Sequence, residues 1–194
     1  MVALAAVIVA AAVAAHALSE FTDDRDHAVI APPPAEPAVA GYGVEQLSHA
    51  CTIMIAGRDL ALGERDQTIA VMTAMGESSL RNLTYGDWET SGVTNPDGSR
   101  TTSIGLFQQQ DGWGSREERL DPHTAATKFY RAMTLRVPER ATLEPTLVAH
   151  RTQVNADPLH YARYWEQAVR VVAALNGQPL DRDRAAAIPL CPAS

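Results

Sequence analysis

Residues 74–110 read AMGESSLRNLTYGDWETSGVTNPDGSRTTSIGLFQQQ. An amphipathic run ends in Gly76-Glu77-Ser78-Ser79-Leu80, and a polar excursion follows. The chain then returns to an apolar knot, Ile104-Gly105-Leu106-Phe107, closed by Gln108-Gln109-Gln110. A carboxylate placed where a helix runs out meets the partial negative charge of unpaired carbonyls. Apolar neighbours desolvate it as well, and both effects raise a carboxyl pKa toward the range a general acid needs at neutral pH. Without that cover Glu77 is an ordinary solvated residue at a helix end, and position by itself leaves both readings open.

Working outward, the chain has 194 residues, 46% hydrophobic and 20% charged, which suits one compact domain with tails. The net charge of −7 is unevenly spread. Glu20, Asp23, Asp24, Asp26 and Glu36 face a single Arg25 before residue 44, and beyond it 18 acids meet 15 bases. No extended basic stripe is present, which argues against nucleic acid as a partner. Residues 1–18 are an Ala/Val/Ile/Leu run broken by His16, read as a signal peptide or membrane anchor, with Ala15-His16-Ala17 as a small-x-small cleavage site. Residues 19–43 read as a linker, acidic first and then APPPAEPAVAG, a composition that favours extended chain.

From Val44 the pattern is helical. Val44, Leu47, Cys51 and Met54 predict a helix to about Arg58, and Ile69, Met72 and Met75 predict one ending near Glu77. Asp121-Pro122 is an N-cap acid followed by proline at the first helical position, opening a helix that carries Ala125, Phe129, Tyr130 and Met133 until Pro138. Further helices are expected over 143–153, beginning near Pro145, and over 159–176, stopped by Asn176-Gly177. Asn95-Pro96-Asp97-Gly98 marks a short hairpin in the long polar loop. The expectation is an all-α domain over residues 44–176, with that loop or hairpin bordering a cleft and an irregular tail over 177–194. Cys51 and Cys191 fit no metal or redox spacing; in an exported chain they either close one long disulfide loop or stand as two unrelated thiols.

At Gly76-Glu77-Ser78-Ser79-Leu80 and Ile104-Gly105-Leu106-Phe107-Gln108-Gln109 the sequence resembles the lysozyme-like lytic transglycosylases, most closely their secreted, SLT-related actinobacterial group. Gly112-Trp113-Gly114, Asp121-Pro122 and Tyr161-Ala162-Arg163 extend the likeness over about residues 44–176. The resemblance implies a lysozyme-like fold in which Glu77 is the single acid/base. Glu77 would protonate the bond between N-acetylmuramic acid and N-acetylglucosamine in peptidoglycan, and then help the muramyl C6 hydroxyl attack the anomeric carbon to give a 1,6-anhydro product. This differs from the usual paired-carboxylate scheme.

Ser78, Gly105, Gln108, Gln109, Trp113 and Tyr161 are the expected substrate-side residues, each with a packing role as its alternative. Asp87, Asp97 and Asp111 are candidates for a second carboxylate; one of them facing Glu77 would activate water and make the enzyme a hydrolytic lysozyme. A non-catalytic, glycan-binding domain is the other alternative. Cys51 lies on an apolar helix face, His123, His150 and His160 match no peptidase motif, and the six histidines are scattered, so neither a metal nor an organic cofactor is expected. The chain is expected to act as a monomer, secreted or held at the cell envelope through residues 1–18.

Overall fold

The computed structural model describes residues 38–178 and 190–192. The expectations for residues 1–18, and for the linker before residue 38, lie outside the described residues. Among the described residues the fold is all-α, with seven helices: α1 (Val44–Asp59), α2 (Glu64–Ser78), α3 (Asp87–Ser91), α4 (Arg116–Leu120), α5 (Pro122–Arg136), α6 (Pro145–Gln153) and α7 (Trp165–Leu175). No described helix is long and apolar enough to cross a membrane.

The central element is α2. Every residue from Gln67 to Met75 is buried, so this helix is enclosed on all faces by α1, α5, α6 and α7. The sequence reads as one-faced because Thr68 and Thr73 interrupt the apolar pattern. Their hydroxyls donate back to the Glu64 and Ile69 carbonyls at 2.8 and 2.7 Å, which satisfies them without water. Helix α1 crosses close to α2 and α5 at Gly57, where a Cβ would come within 3 Å of Gln67 Cγ and the Tyr130 hydroxyl. Tyr130, fully buried on α5, donates to the Ile53 carbonyl at 3.1 Å.

The helix ends follow their sequence signals closely. Asp121 caps α5 by accepting from the Thr124 amide at 2.8 Å, with Pro122 behind it, and Pro145 opens α6. The last helix departs from expectation. Residues 159–164 form turns and one 3-10 segment (Ala162–Tyr164), and the α-helix begins only at Trp165. Tyr161 is therefore held in a tight turn rather than on a helix face.

Two further expectations are corrected, and the open pairing of the cysteines is resolved. The packed region begins before residue 44, since Val39 and Tyr42 are buried against the core. The hairpin at Asn95–Gly98 reduces to one antiparallel bridge between Thr94 and Arg100. The loop and its following turn instead carry α3 and α4, five residues each and too short for a periodicity to register. Of the expected irregular tail, residues 179–189 and 193–194 lie outside the described residues; of the two readings of the cysteines the disulfide holds, Cys191 bonding Cys51 on α1 while its amide donates to the Leu175 carbonyl at 3.0 Å.

That crosslink joins residues 140 apart, so its loss releases a long loop in the unfolded chain. Replacing both cysteines by serine is expected to lower stability by about 2–5 kcal/mol, read as a lower urea midpoint. The wild type with reductant should behave the same way.

Candidate active site

Glu77 lies in the last turn of α2, one residue before the helix ends. The chain then reverses through two left-handed residues, Ser79 (φ 54°) and Leu80 (φ 60°). The Ser79 and Leu80 amides return to the Met75 and Ala74 carbonyls at 3.0 and 3.2 Å, closing the helix as a glycine would. Left-handed geometry is costly for residues with a Cβ, and α1 holds it in place. Gln46 Nε2 donates to the Ser79 carbonyl at 2.7 Å, and His49 Nδ1 lies 2.8 Å from the Leu80 carbonyl.

The residues around Glu77 come from distant parts of the chain. The Tyr161 hydroxyl donates to Glu77 Oε1. Its ring approaches α2 closely because residue 76 is glycine; a Cβ there would sit 2.7 Å from Tyr161 Cδ1 and 3.3 Å from Tyr164 Cε2. Gln153, the last residue of α6, reaches Glu77 with its side-chain amide and also donates to the Phe107 carbonyl at 2.8 Å. Asn155 follows Val154, itself left-handed at φ 60°, lies beside the Tyr161 hydroxyl and accepts from His150 Nδ1 at 2.6 Å.

Burial pushes the Glu77 carboxyl up to about 7, and the negative charge of Asp87 adds to the rise. The hydrogen bonds from Tyr161 and Gln153 favour the anion and pull part of the way back. Burial, then the Glu77 charge and the hydrogen bond to it, push the Tyr161 phenol far above its ordinary value, so Tyr161 remains a donor. Glu77 is consequently a proton donor near neutrality, and its conjugate base keeps two hydrogen-bond partners.

The other expected site residues divide. Ser78 is buried and donates to the Leu106 carbonyl at 2.8 Å, tying the end of α2 to the apolar knot. Gly105 (φ +79°) makes its close approach to the protein's own backbone: a Cβ would meet the Arg119 carbonyl at 2.2 Å. Gln109 is buried and donates to the Ala125 carbonyl at 3.1 Å, which turns it away from solvent. Gln108 stays partly exposed, with its amide nitrogen near the Gly105 and Tyr85 carbonyls at 3.1 and 3.4 Å. Trp113 lines a separate groove beneath the Arg136 guanidinium.

Of the three aspartates, only Asp87 raises the Glu77 pKa. Asp97 is occupied by the Ser99 amide and hydroxyl at 3.0 and 2.7 Å, and Asp111 pairs with the buried Arg119 guanidinium. Among the described residues no cluster of His, Cys, Asp and Glu suited to a metal ion is present. Gly76, His150, Gln153 and Asn155 carry no local signal that separates them from packing residues. Compared with protein-family models and with curated proteins, the sequence matches none.

The raised carboxyl makes folding pH-dependent. The folded chain holds the Glu77 proton more tightly than the unfolded chain, so its contribution to stability is full below about 4.5 and lost as pH rises through about 7. Glu77→Gln is expected to be more stable than wild type at pH 8 by about 1–3 kcal/mol, at about 1.4 kcal/mol per pKa unit. The two should melt alike near pH 4, as calorimetry at the two pH values will read. Tyr161→Phe removes a bond that favours the anion, so the carbon-13 titration midpoint of the Glu77 carboxyl should move upward from about 7.

Proposed function

We propose that the protein cleaves the glycan strands of peptidoglycan as a lytic transglycosylase, with Glu77 as the single acid/base. The observation that carries this reading is a carboxyl at the end of a buried helix, raised to about 7 and hydrogen-bonded by Tyr161 and Gln153. Such a group is protonated when substrate arrives and stabilised as the anion once it has given its proton to the glycosidic oxygen. The carboxylate then accepts the proton of the muramyl C6 hydroxyl as that oxygen attacks the anomeric carbon. The anhydro ring forms and the acid is restored without water. Oxocarbenium charge is met by neutral dipoles or by the substrate's own acetamido group. The resemblance at residues 76–80 and 104–109 supplies the substrate class.

Hydrolysis is the second reading, favoured by Asp87, whose charge reaches Glu77. A water held between the two would give a reducing-end product instead.

Mass spectrometry of fragments released from purified cell wall by the full chain, beside Glu77→Gln, tests both. Anhydromuramyl products that fall by about 10²–10⁴-fold in the variant are the expected outcome. Reducing-end products lost in Glu77→Gln and in Asp87→Asn would establish the hydrolytic reading. Absence of release by wild type, with glycan binding retained, would overturn both in favour of a wall-binding domain. Activity should also fall as pH rises above about 7, where Glu77 loses its proton.

A further inference from the structure

The two sulfurs of the Cys51–Cys191 crosslink sit in different surroundings. Cys51, in the middle of α1, is partly exposed, whereas Cys191 is buried. Arg58, in the last turn of the same helix, donates from Nη2 to Cys191 Sγ at 2.8 Å. Its Nε is buried with no hydrogen-bond partner, and Arg58 makes no ion pair among the described residues. A permanent cation is thus set against a neutral disulfide sulfur, which is a weak acceptor.

A partly buried charge without a counter-charge is costly. Negative charge gained by Cys191 Sγ would supply that counter-charge. The Cys51 carbonyl, 3.4 Å from the same sulfur, works the other way, because it would accept from a neutral thiol. The guanidinium is nearer and carries a full charge, so a sulfur released at Cys191 is stabilised as the thiolate. Thiol–disulfide exchange is faster when the leaving sulfur is the more stable thiolate and the attacked sulfur can be reached. Exposure and charge therefore select the same direction, attack at Cys51 and departure of Cys191.

Little else holds the described end of the tail. The Cys191 amide donates to the Leu175 carbonyl at 3.0 Å, while Leu190 is 65% exposed and Pro192 is exposed.

We propose that this crosslink is a redox-sensitive latch, opened by a dithiol that attacks Cys51 Sγ and expels Cys191 as a thiolate paired with Arg58. In the first step a thiolate of the dithiol bonds to Cys51 Sγ, and the electron pair of the Cys51–Cys191 bond leaves on Cys191 Sγ. In the second, the other thiol of the dithiol gives its proton to solvent and attacks the dithiol sulfur bound to Cys51. Cys51 departs as a thiolate and takes a proton from solvent. The protein disulfide has gained two electrons, and the dithiol has become a disulfide. None of these steps depends on the reaction at Glu77.

Brief treatment of the full chain with glutathione, a monothiol, stops the exchange at the mixed disulfide. Acid quenching, alkylation and peptide mass spectrometry then locate it. Wild type is expected to carry glutathione on Cys51 about five- to tenfold more often than on Cys191. Arg58→Lys, which keeps the charge, should retain the preference. Arg58→Gln should approach parity while its α2 amides stay protected in hydrogen exchange. Parity in folded wild type, or a preference for Cys191, overturns the proposal, and so does a preference that Arg58→Gln leaves unchanged. The wild-type ratio decides even where Arg58→Gln fails to fold. After full reduction by dithiothreitol, exchange at the Cys191 amide is expected to rise by about tenfold or more with α2 still protected. Unchanged protection at Cys191, or protection lost throughout α2, would mark a structural staple and overturn the latch.

Discussion

A helix whose residues 67–75 are all buried must end where its last carbonyls and side chains can be satisfied, and here that end is Glu77-Ser78. The first consequence is electrostatic. A carboxyl near the close of an enclosed helix is short of water and sits at the negative end of the helix dipole, so its neutral form is favoured. The second consequence is mechanical. Because α2 is packed by α1, α5, α6 and α7, Glu77 sits at the end of an enclosed helix while the groups beside it arrive from other elements.

Tyr161 and Asn155 are positioned by turns, and Gln153 by the end of α6. Gly76 leaves the space that the Tyr161 ring occupies, and left-handed Val154 carries the chain from Gln153 on α6 to Asn155 beside Tyr161. The reversal at Ser79-Leu80 is braced by Gln46 and His49 of α1, so the first helix also supports the site, though it contributes no group to the Glu77 cluster. Strain in the turn is thereby balanced by hydrogen bonds from a helix that the disulfide fastens to the end of the tail.

The long polar segment between Glu77 and Gly105 is organised from the far side, by α4 and its surroundings. Arg119 is buried with its charge and donates to the Thr102 and Gln109 carbonyls and to Asp111. Asn82 reaches the Leu120 carbonyl at 2.7 Å, and Gly105 packs on the Arg119 carbonyl. Phe107 then stacks on Phe129 at 4.9 Å, which secures the apolar knot to α5. Ser78 and Gln153 bond the carbonyls of Leu106 and Phe107 in turn, so knot and carboxyl are one assembly.

By itself the sequence determined the all-α class and the positions of α1, α2, α5 and α6 to within a few residues, because periodicity, caps and prolines act over a few neighbouring residues. The complete burial of α2 was hidden by threonines whose hydroxyls return to their own helix. Gln109 and Asp111 looked like surface chemistry and are instead tied up in the loop's own bonding. Only the tertiary structure decided that Tyr161 leaves the last helix to meet Glu77 across 84 residues of chain, that Gln153 and Asn155 lie beside that pair, and that Cys51 finds Cys191. The physical reason is one of range. Helix signals are local, whereas the pKa of a carboxyl and the partners of a hydroxyl depend on which distant side chains share its small, water-poor volume.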